Sequence, residues 1–190
     1  MRKSSLDLPC RPIEIRRLPR AIALLWLLAS SLHGSSLFAQ PVGAAQRRPV
    51  QSAWASLGVG FGTPSSTAGV IGGWYSRGAL IVGAQYSQVS PFLGGDTRSS
   101  VALLAGARTL DSRAFLVATL GVAAARLVSD CSSCPSRQVG PTAAALAVSA
   151  QAVANSGVLG LTLGTFGVLG PSRVSHAGVA VSLALGWFGE

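Results

Sequence analysis

Residues 177–187 read AGVAVSLALGW, and every position of this stretch obeys a period of two. The larger apolar residues occupy one set of alternate positions, from Val179 to Trp187, and glycine, alanine and serine occupy the other set. Successive side chains of a β-strand point to opposite faces, whereas a helix would scatter the same residues around its circumference. The stretch therefore predicts a strand with one bulky face and one small face.

The same alternation recurs in much of the remaining chain. It is clear over residues 53–61, 79–87 and 158–165, where bulky apolar residues mostly alternate with small or polar ones. Residues 69–75 and 115–127 are apolar at both sets of alternate positions, so their registers stay open. The predicted strands are residues 52–61, 67–76, 79–89, 99–108, 114–128, 141–154, 158–169 and 177–188.

The breaks between these stretches are rich in turn-forming residues. Residues 76–78 (SRG) and 155–157 (NSG) form tight breaks, whereas residues 90–98 and 129–140 form long ones. Tighter and longer breaks alternate along the chain, which places the tight ones at one end of a sheet. An even number of strands with this arrangement is typical of a transmembrane β-barrel. The sequence therefore predicts an all-β fold, an eight-stranded antiparallel up-and-down transmembrane β-barrel.

Composition and charge placement agree with this fold. Only 11% of the 190 residues are charged, 49% are hydrophobic, and the mean hydropathy is +0.49. A soluble domain has about 25% charged residues, and disorder needs low hydrophobicity with high charge. After the first forty residues, only Arg108 and Arg126 among the arginines lie within predicted strands, and the others lie in the lead-in, in loops or at strand edges. This placement fits a membrane barrel, because a charge that faces lipid at mid-depth costs about 2–4 kcal/mol.

The N-terminal residues have the features of a secretory signal peptide. Basic residues precede a twelve-residue apolar run, Ala21 to Leu32, and Ala39 before Gln40 offers a small residue for cleavage. The run is shorter than the roughly 20 residues that span a bilayer as a helix. We predict a signal peptide over residues 1–39, a lead-in over 40–51 and a barrel over 52–190, with an uncleaved anchor helix as the alternative.

Aromatic residues gather at the ends of the predicted strands. In transmembrane barrels such residues form girdles at the two membrane interfaces, because amphipathic rings suit the headgroup level. The alternating strand directions would place Phe61 and Tyr86 at the end with longer loops and most of the others at the end with tight turns. The predicted interface aromatics are Trp54, Phe61, Trp74, Tyr86, Phe115, Trp187 and Phe188.

In this architecture, residues 52–188 resemble the small eight-stranded outer-membrane β-barrels of Gram-negative bacteria, the OmpA/OmpX type. The segment from Val179 to Phe188 resembles the aromatic-ended terminal strand that family members present to the barrel assembly machinery, although this chain continues to Glu190. The resemblance implies localisation in the outer membrane after export across the inner membrane. It also implies membrane lipid and the assembly machinery as partners. Unlike the family's often charged lumen, the inward positions here are mostly small residues.

Candidate chemistry is sparse. Cys131 and Cys134 form a C-x-x-C pair in the longest break, which fits a loop disulfide in an oxidising compartment, with free thiols, a redox pair or metal ligands as alternatives. His176 lies beside Ser175 with Ser172 nearby, but a nucleophile and base need a third, orienting group. We therefore predict a solvated loop histidine, and no catalytic, cofactor or metal site.

These features favour a non-enzymatic outer-membrane barrel with a structural or surface-interaction role and an unidentified ligand. No basic cluster with interleaved aromatics occurs, so nucleic acid is not indicated as a partner. One alternative is a polytopic helical inner-membrane protein, because residues 139–172 carry no charge. The other is a secreted soluble β-barrel.

Overall fold

A computed structural model describes residues 50–189 apart from residues 64, 93, 110, 112 and 130–137. The described residues form nine β-strands, eight of them long and one of two residues. The strands are β1 (Gln51–Gly62), β2 (Ser66–Arg77), β3 (Leu80–Pro91), β4 (Thr97–Arg108), β5 (Ala114–Ser129), β6 (Gln138–Val139), β7 (Ala143–Ser156), β8 (Leu159–Leu169) and β9 (His176–Trp187).

The eight long strands close into an antiparallel up-and-down barrel. Their order is β4-β3-β2-β1-β9-β8-β7-β5, and β4 also pairs with β5, from Thr97 opposite Val128 to Arg108 opposite Val117. The first and last strands pair with each other, so both ends of the barrel segment lie in the wall. The short β6 pairs only with the end of β5 and was not predicted. The predicted fold class is confirmed.

The predicted strands are confirmed, and each long strand begins and ends within two residues of its predicted bounds. The structure also settles the two open registers. In β2, Trp74 and Ser76 face the interior, and in β5 Phe115 and Val117 do so. Arg126 faces outward near the end of β5, where its charge is close to the barrel rim.

The connections between strands fall into two groups, one at each end of the barrel, as predicted. Residues 78–79 and 157–158 are two-residue turns, in which Gly78 and Gly157 adopt positive φ angles of 61° and 69°. Together with residues 109–113 they define the short-turn end, and the other connections define the loop end. The β1–β2 connection at the loop end has only residues 63–65, because both strands extend further than the sequence indicated.

The outer surface of the barrel is apolar along its whole circumference. Leu57 is 63% exposed, Val59 75% and Leu183 67%, and the other outward positions of the long strands are mostly of the same kind. This surface does not fit a secreted soluble barrel, because water-exposed apolar patches are rarely larger than a few hundred Å². The helical alternative is wrong, since the described elements are strands.

Among the described residues, no helix is long and apolar enough to cross a membrane.

Several glycines mark positions where the backbones of neighbouring strands approach closely. A Cβ atom at Gly121 would lie against the carbonyl oxygen of Leu103, and one at Gly60 would lie against that of Val179. In contrast, a Cβ atom at Gly73 would meet nothing within 4 Å. Glycine in a strand often marks such close approach, which a sharply curved wall of only eight strands requires.

This contrast predicts different effects of the same substitution. We expect Gly121→Ala to lower the free energy of unfolding by about 1–3 kcal/mol, because the added methyl group must displace the backbone of β4. Gly73→Ala is the matched control and should leave stability almost unchanged. The measurement is urea unfolding of the refolded protein in lipid vesicles, followed by tryptophan fluorescence. Equal stability of the two variants would contradict the proposed crowding at Gly121.

Candidate functional site

The interior of the barrel is filled by side chains rather than forming a pore. At the short-turn end lies an aromatic plug, which we define as Trp54, Trp74, Phe115 and Phe188. The ring of Trp54 is at the centre of this plug, with centroids 6.4 Å from Trp74, 5.4 Å from Phe115 and 5.8 Å from Phe188. Such pairs add about 0.5–1.5 kcal/mol each beyond the burial of their area.

The aromatic plug corrects part of the predicted girdles. Its four members lie at the short-turn end but face inward, with exposed fractions of only 2–4%. The reason is their phase in the strands, since Trp54 shares a face with the small residue Ser56, and not with Leu57. Phe61 and Trp187 do face outward, and the Tyr86 hydroxyl donates to Gln88 Oε1 at 2.8 Å. Their placement at a membrane interface stays a prediction.

Beside the plug, the guanidinium of Arg108 occupies the end of the lumen. Its Nη1 donates to the hydroxyl oxygens of Ser52 and Ser76, at 2.6 and 3.1 Å, and its Cζ lies 4.1 Å from the centre of the Phe115 ring. Nε and Nη2 donate to the carbonyl oxygens of Thr109 and Asp111, both at 3.3 Å. The planar group thus joins β1, β2, β4 and the β4–β5 turn.

Towards the loop end, a polar cluster surrounds His176. Its Nε2 lies 3.1 Å from Ser87 Oγ and 3.5 Å from Ser100 Oγ, and its Nδ1 lies 2.9 Å from the carbonyl oxygen of Val174. The ring also contacts Phe166 edge-on. His176 is 4% exposed, so the prediction of a solvated histidine is wrong. In β9, His176 lies on the same face as the small inward residues, so the period of two could have predicted that it points into the barrel.

The two serines that lie near His176 in the sequence have other hydrogen-bond partners or are exposed. Ser175 Oγ donates to the carbonyl oxygen of Gly170 at 2.8 Å and accepts from its N–H at 3.0 Å, and Ser172 is exposed. The partners of His176 are instead Ser87 and Ser100 from β3 and β4. Sequence reasoning missed them, because they lie far from His176 along the chain and no spacing rule joins them.

Two predictions fall outside the described residues. Cys131 and Cys134 belong to residues 130–137, and the signal peptide and most of the lead-in precede residue 50. Within the described part of the chain, no group of three or more histidine, cysteine, aspartate or glutamate residues could hold a metal ion.

Comparison with known proteins identifies the fold. No family model matches the chain, and no curated protein matches it. The structure is similar to that of Neisserial surface protein A (NspA), at 12% identity and a TM-score of 0.58, covering 71% of this chain and 96% of that one. It is also similar to the N-terminal β-barrel domain of Pseudomonas aeruginosa OprF, at 8% identity and a TM-score of 0.55, covering 74% and 98%.

A third similar structure is Ail, the attachment invasion locus protein of Yersinia pestis, in complex with the heparin analogue sucrose octasulfate. Its identity is 10% and its TM-score 0.50, with coverage of 74% of this chain and 100% of that one. At these identities the likeness concerns the fold. The chain has the fold of the small outer-membrane β-barrels, and the predicted resemblance is confirmed.

The contacts of Arg108 predict that its shape matters as well as its charge. We expect Arg108→Lys to lower the free energy of unfolding by about 1–3 kcal/mol, because a lysine cannot reproduce the planar fork that reaches both strands and turn. Arg113→Lys is the control, since Arg113 is exposed in the same turn. Urea unfolding in lipid vesicles measures both variants. A stable Arg108→Lys protein would show that these hydrogen bonds contribute little.

Proposed function

We propose that the protein is a non-enzymatic integral outer-membrane β-barrel with a structural or surface-interaction role. The observation that carries this proposal is the division of the barrel wall into an apolar outside and a filled inside. An outside of this kind is suited to lipid, and an inside of this kind leaves no route for a solute.

The outer surface supports a bilayer location. A transmembrane strand needs about 9–11 residues, and the long strands of this barrel have 11 to 16. Their outward side chains are mostly leucine, valine, isoleucine and alanine. The described arginine side chains lie towards the two ends, as with Arg77 in β2 and Arg126 in β5. Membrane lipid is therefore the first partner that we propose.

The filled lumen supports a structural or surface role over transport. An eight-stranded barrel is only wide enough for side chains to fill. Here the aromatic plug and Arg108 occupy the short-turn end, and the His176 cluster occupies the lumen nearer the loop end. A partner in solution would then meet the connections at the loop end, where Arg98 and Arg173 lie close together, with Arg98 Nε donating to the carbonyl oxygen of Arg173 at 3.1 Å.

The last strand supports an interaction with the barrel assembly machinery. The outward side of β9 is a continuous apolar face that ends in an aromatic ring. Its members are Val179, Val181, Leu183, Leu185 and Trp187. Phe188 turns inward to the plug. We therefore propose Trp187 as the aromatic residue of the assembly signal.

Fluorescence quenching tests the bilayer location. One variant, Trp26→Phe/Trp54→Phe/Trp74→Phe, retains only Trp187, which is 58% exposed on the outer surface. We expect brominated lipid to quench its tryptophan fluorescence strongly. A Trp26→Phe/Trp187→Phe variant should be quenched weakly, because Trp54 and Trp74 lie inside the barrel. Equal quenching of the two variants would contradict the proposed orientation in a membrane.

A second candidate function has one specific observation in its favour. Ser87, His176 and the carbonyl oxygen of Val174 form a chain in which the histidine is oriented and lies within reach of a hydroxyl. A hydrolase uses a nucleophile and base related in this way. Ser87 and Ser100 are each 2% exposed, however, and they also bond to each other at 2.8 Å, which suits a packed polar cluster better than a reacting one.

A serine-directed probe separates the two functions. We expect a fluorophosphonate to leave the refolded protein unlabelled, because the Ser87 hydroxyl is buried beneath the rim of the barrel. Ser87→Ala provides the matched control, and it identifies any labelling of other serines. Labelling of the unaltered protein that disappears in Ser87→Ala would overturn the non-enzymatic proposal and establish Ser87 as a nucleophile.

A further inference from the structure

Between the aromatic plug and the His176 cluster, the lumen contains a small polar chamber. It measures about 20 Å³, and we define it by six inward-facing polar side chains that line it, contributed by five strands. About 10–15 Å³ of space is enough to hold one water molecule. The chamber thus has room for one or two waters. The six inward-facing polar residues of the lining are Ser56, Gln85, Ser149, Gln151, Thr162 and Ser182.

Two carbonyl oxygens of this lining have no hydrogen-bond partner among the described residues. They are Oε1 of Gln85 and Oε1 of Gln151, and both atoms are buried. Gln85 as a whole is only 6% exposed. The amide nitrogen of Gln151 donates to Ser149 Oγ at 3.3 Å, which leaves its oxygen available to accept. Buried polar groups in folded proteins almost always have a partner, either protein or ordered water.

A buried donor lies close to Ser56, one of the residues that line the chamber. Trp74 Nε1 also has no partner among the described residues. A Cβ atom at Gly72 would lie 2.7 Å from this nitrogen and 3.1 Å from Ser56 Oγ, so both polar atoms face the gap that the glycine leaves. Gly72 is paired in the sheet with Ser56 on one side and with Gln85 on the other. The Trp74 donor and the Ser56 hydroxyl therefore share the gap at Gly72, and Gln85 is the neighbour of Gly72 in the sheet.

We propose that this chamber is a built-in binding site for one or two ordered water molecules. A water can accept from the Trp74 indole N–H and donate to the oxygens of Gln85 and Gln151, so it satisfies groups of both kinds. A metal cation could use the oxygens but would repel the indole donor. The chamber has no carboxylate in its lining, and the charged group that occupies the short-turn end of the lumen, Arg108, is a cation. Water is the ligand that fits.

The position of the chamber predicts slow exchange with the solvent. The aromatic plug lies on one side of it, and Phe166, which lines it, contacts the ring of His176 on the other side. We therefore expect a water held between these groups to exchange slowly with the solvent. This water site goes beyond the proposed function, because the argument for it does not depend on the membrane in which the barrel is located.

Magnetic resonance of the full chain, ¹⁵N-labelled and refolded in deuterated detergent micelles, tests the proposal. The Trp74 indole signal is assigned by its loss in Trp74→Phe. We expect a cross-peak between this N–H and water, with the sign that marks a water held for longer than nanoseconds. Gln85→Leu removes one of the two acceptors and Gly72→Ala fills the gap, and each should weaken or abolish the cross-peak. Folding of every variant is checked by gel migration before and after boiling.

Gln88→Leu is the matched control. Gln88 lies in the same strand as Gln85, but its amide contacts Tyr86 and Ser90 rather than the chamber, so the cross-peak should persist. A folded unaltered protein without the cross-peak would overturn the proposal, even if both chamber variants failed to fold. A cross-peak unchanged in folded Gln85→Leu would do the same. Movement of the Trp74 signal when choline chloride replaces sodium chloride would assign the site to a cation instead.

Discussion

The pairing of β1 with β9, the first and last strands of the barrel, is the contact on which the rest of this structure depends. In a bilayer, each backbone N–H and carbonyl group must find its partner inside the protein, because lipid offers none. The two strands are paired from Ala53 opposite Trp187 to Gly62 opposite Gly178, and this ladder turns an open sheet into a closed one. Without it, two long strand edges would leave their backbone groups unpaired in hydrocarbon, and the apolar outer surface could not offset that cost.

Closure with only eight strands has consequences for both sides of the wall. The interior is so narrow that inward positions are either small or packed against one another, as the aromatic plug and the His176 cluster show. The wall itself curves so sharply that Gly121 and Gly60 have no room for a side chain. The polar groups that remain inside are then separated from bulk water, so they must satisfy each other or hold water of their own.

The period of two was enough to predict the strands, their order and the two ends of the barrel. The same pattern also contained the inward directions of two side chains that were assigned wrongly. Trp54 lies in phase with Ser56, and His176 lies in phase with the small residues of β9, so both inward directions followed from the pattern. The general tendency of aromatic rings to lie at membrane interfaces led to the wrong side for Trp54, Trp74 and Phe115, because this tendency says nothing about strand phase.

Other features could not be predicted in this way. The contacts between Ser87 and His176, or between Arg108 and Ser52, join strands that are distant in sequence and depend on the stagger of the closed sheet. The placement of Trp74 and Gln85 near Gly72 likewise depends on the sheet register, which was open for this strand. Local alternation determines which way a side chain points, and only closure determines what it meets.

The aromatic plug also bears on the order in which the chain can reach its final state. Trp54 stands near the start of the barrel and Phe188 directly after its last strand, and the Ser52 hydroxyl that fixes the Phe188 carbonyl is 136 positions away from it. Contacts of such long range form late, because the loss of chain entropy precedes the gain. An incomplete barrel therefore has an unsealed short-turn end, and sealing coincides with the arrival of the last strand. In this molecule, a sealed lumen marks a barrel whose first and last strands have met.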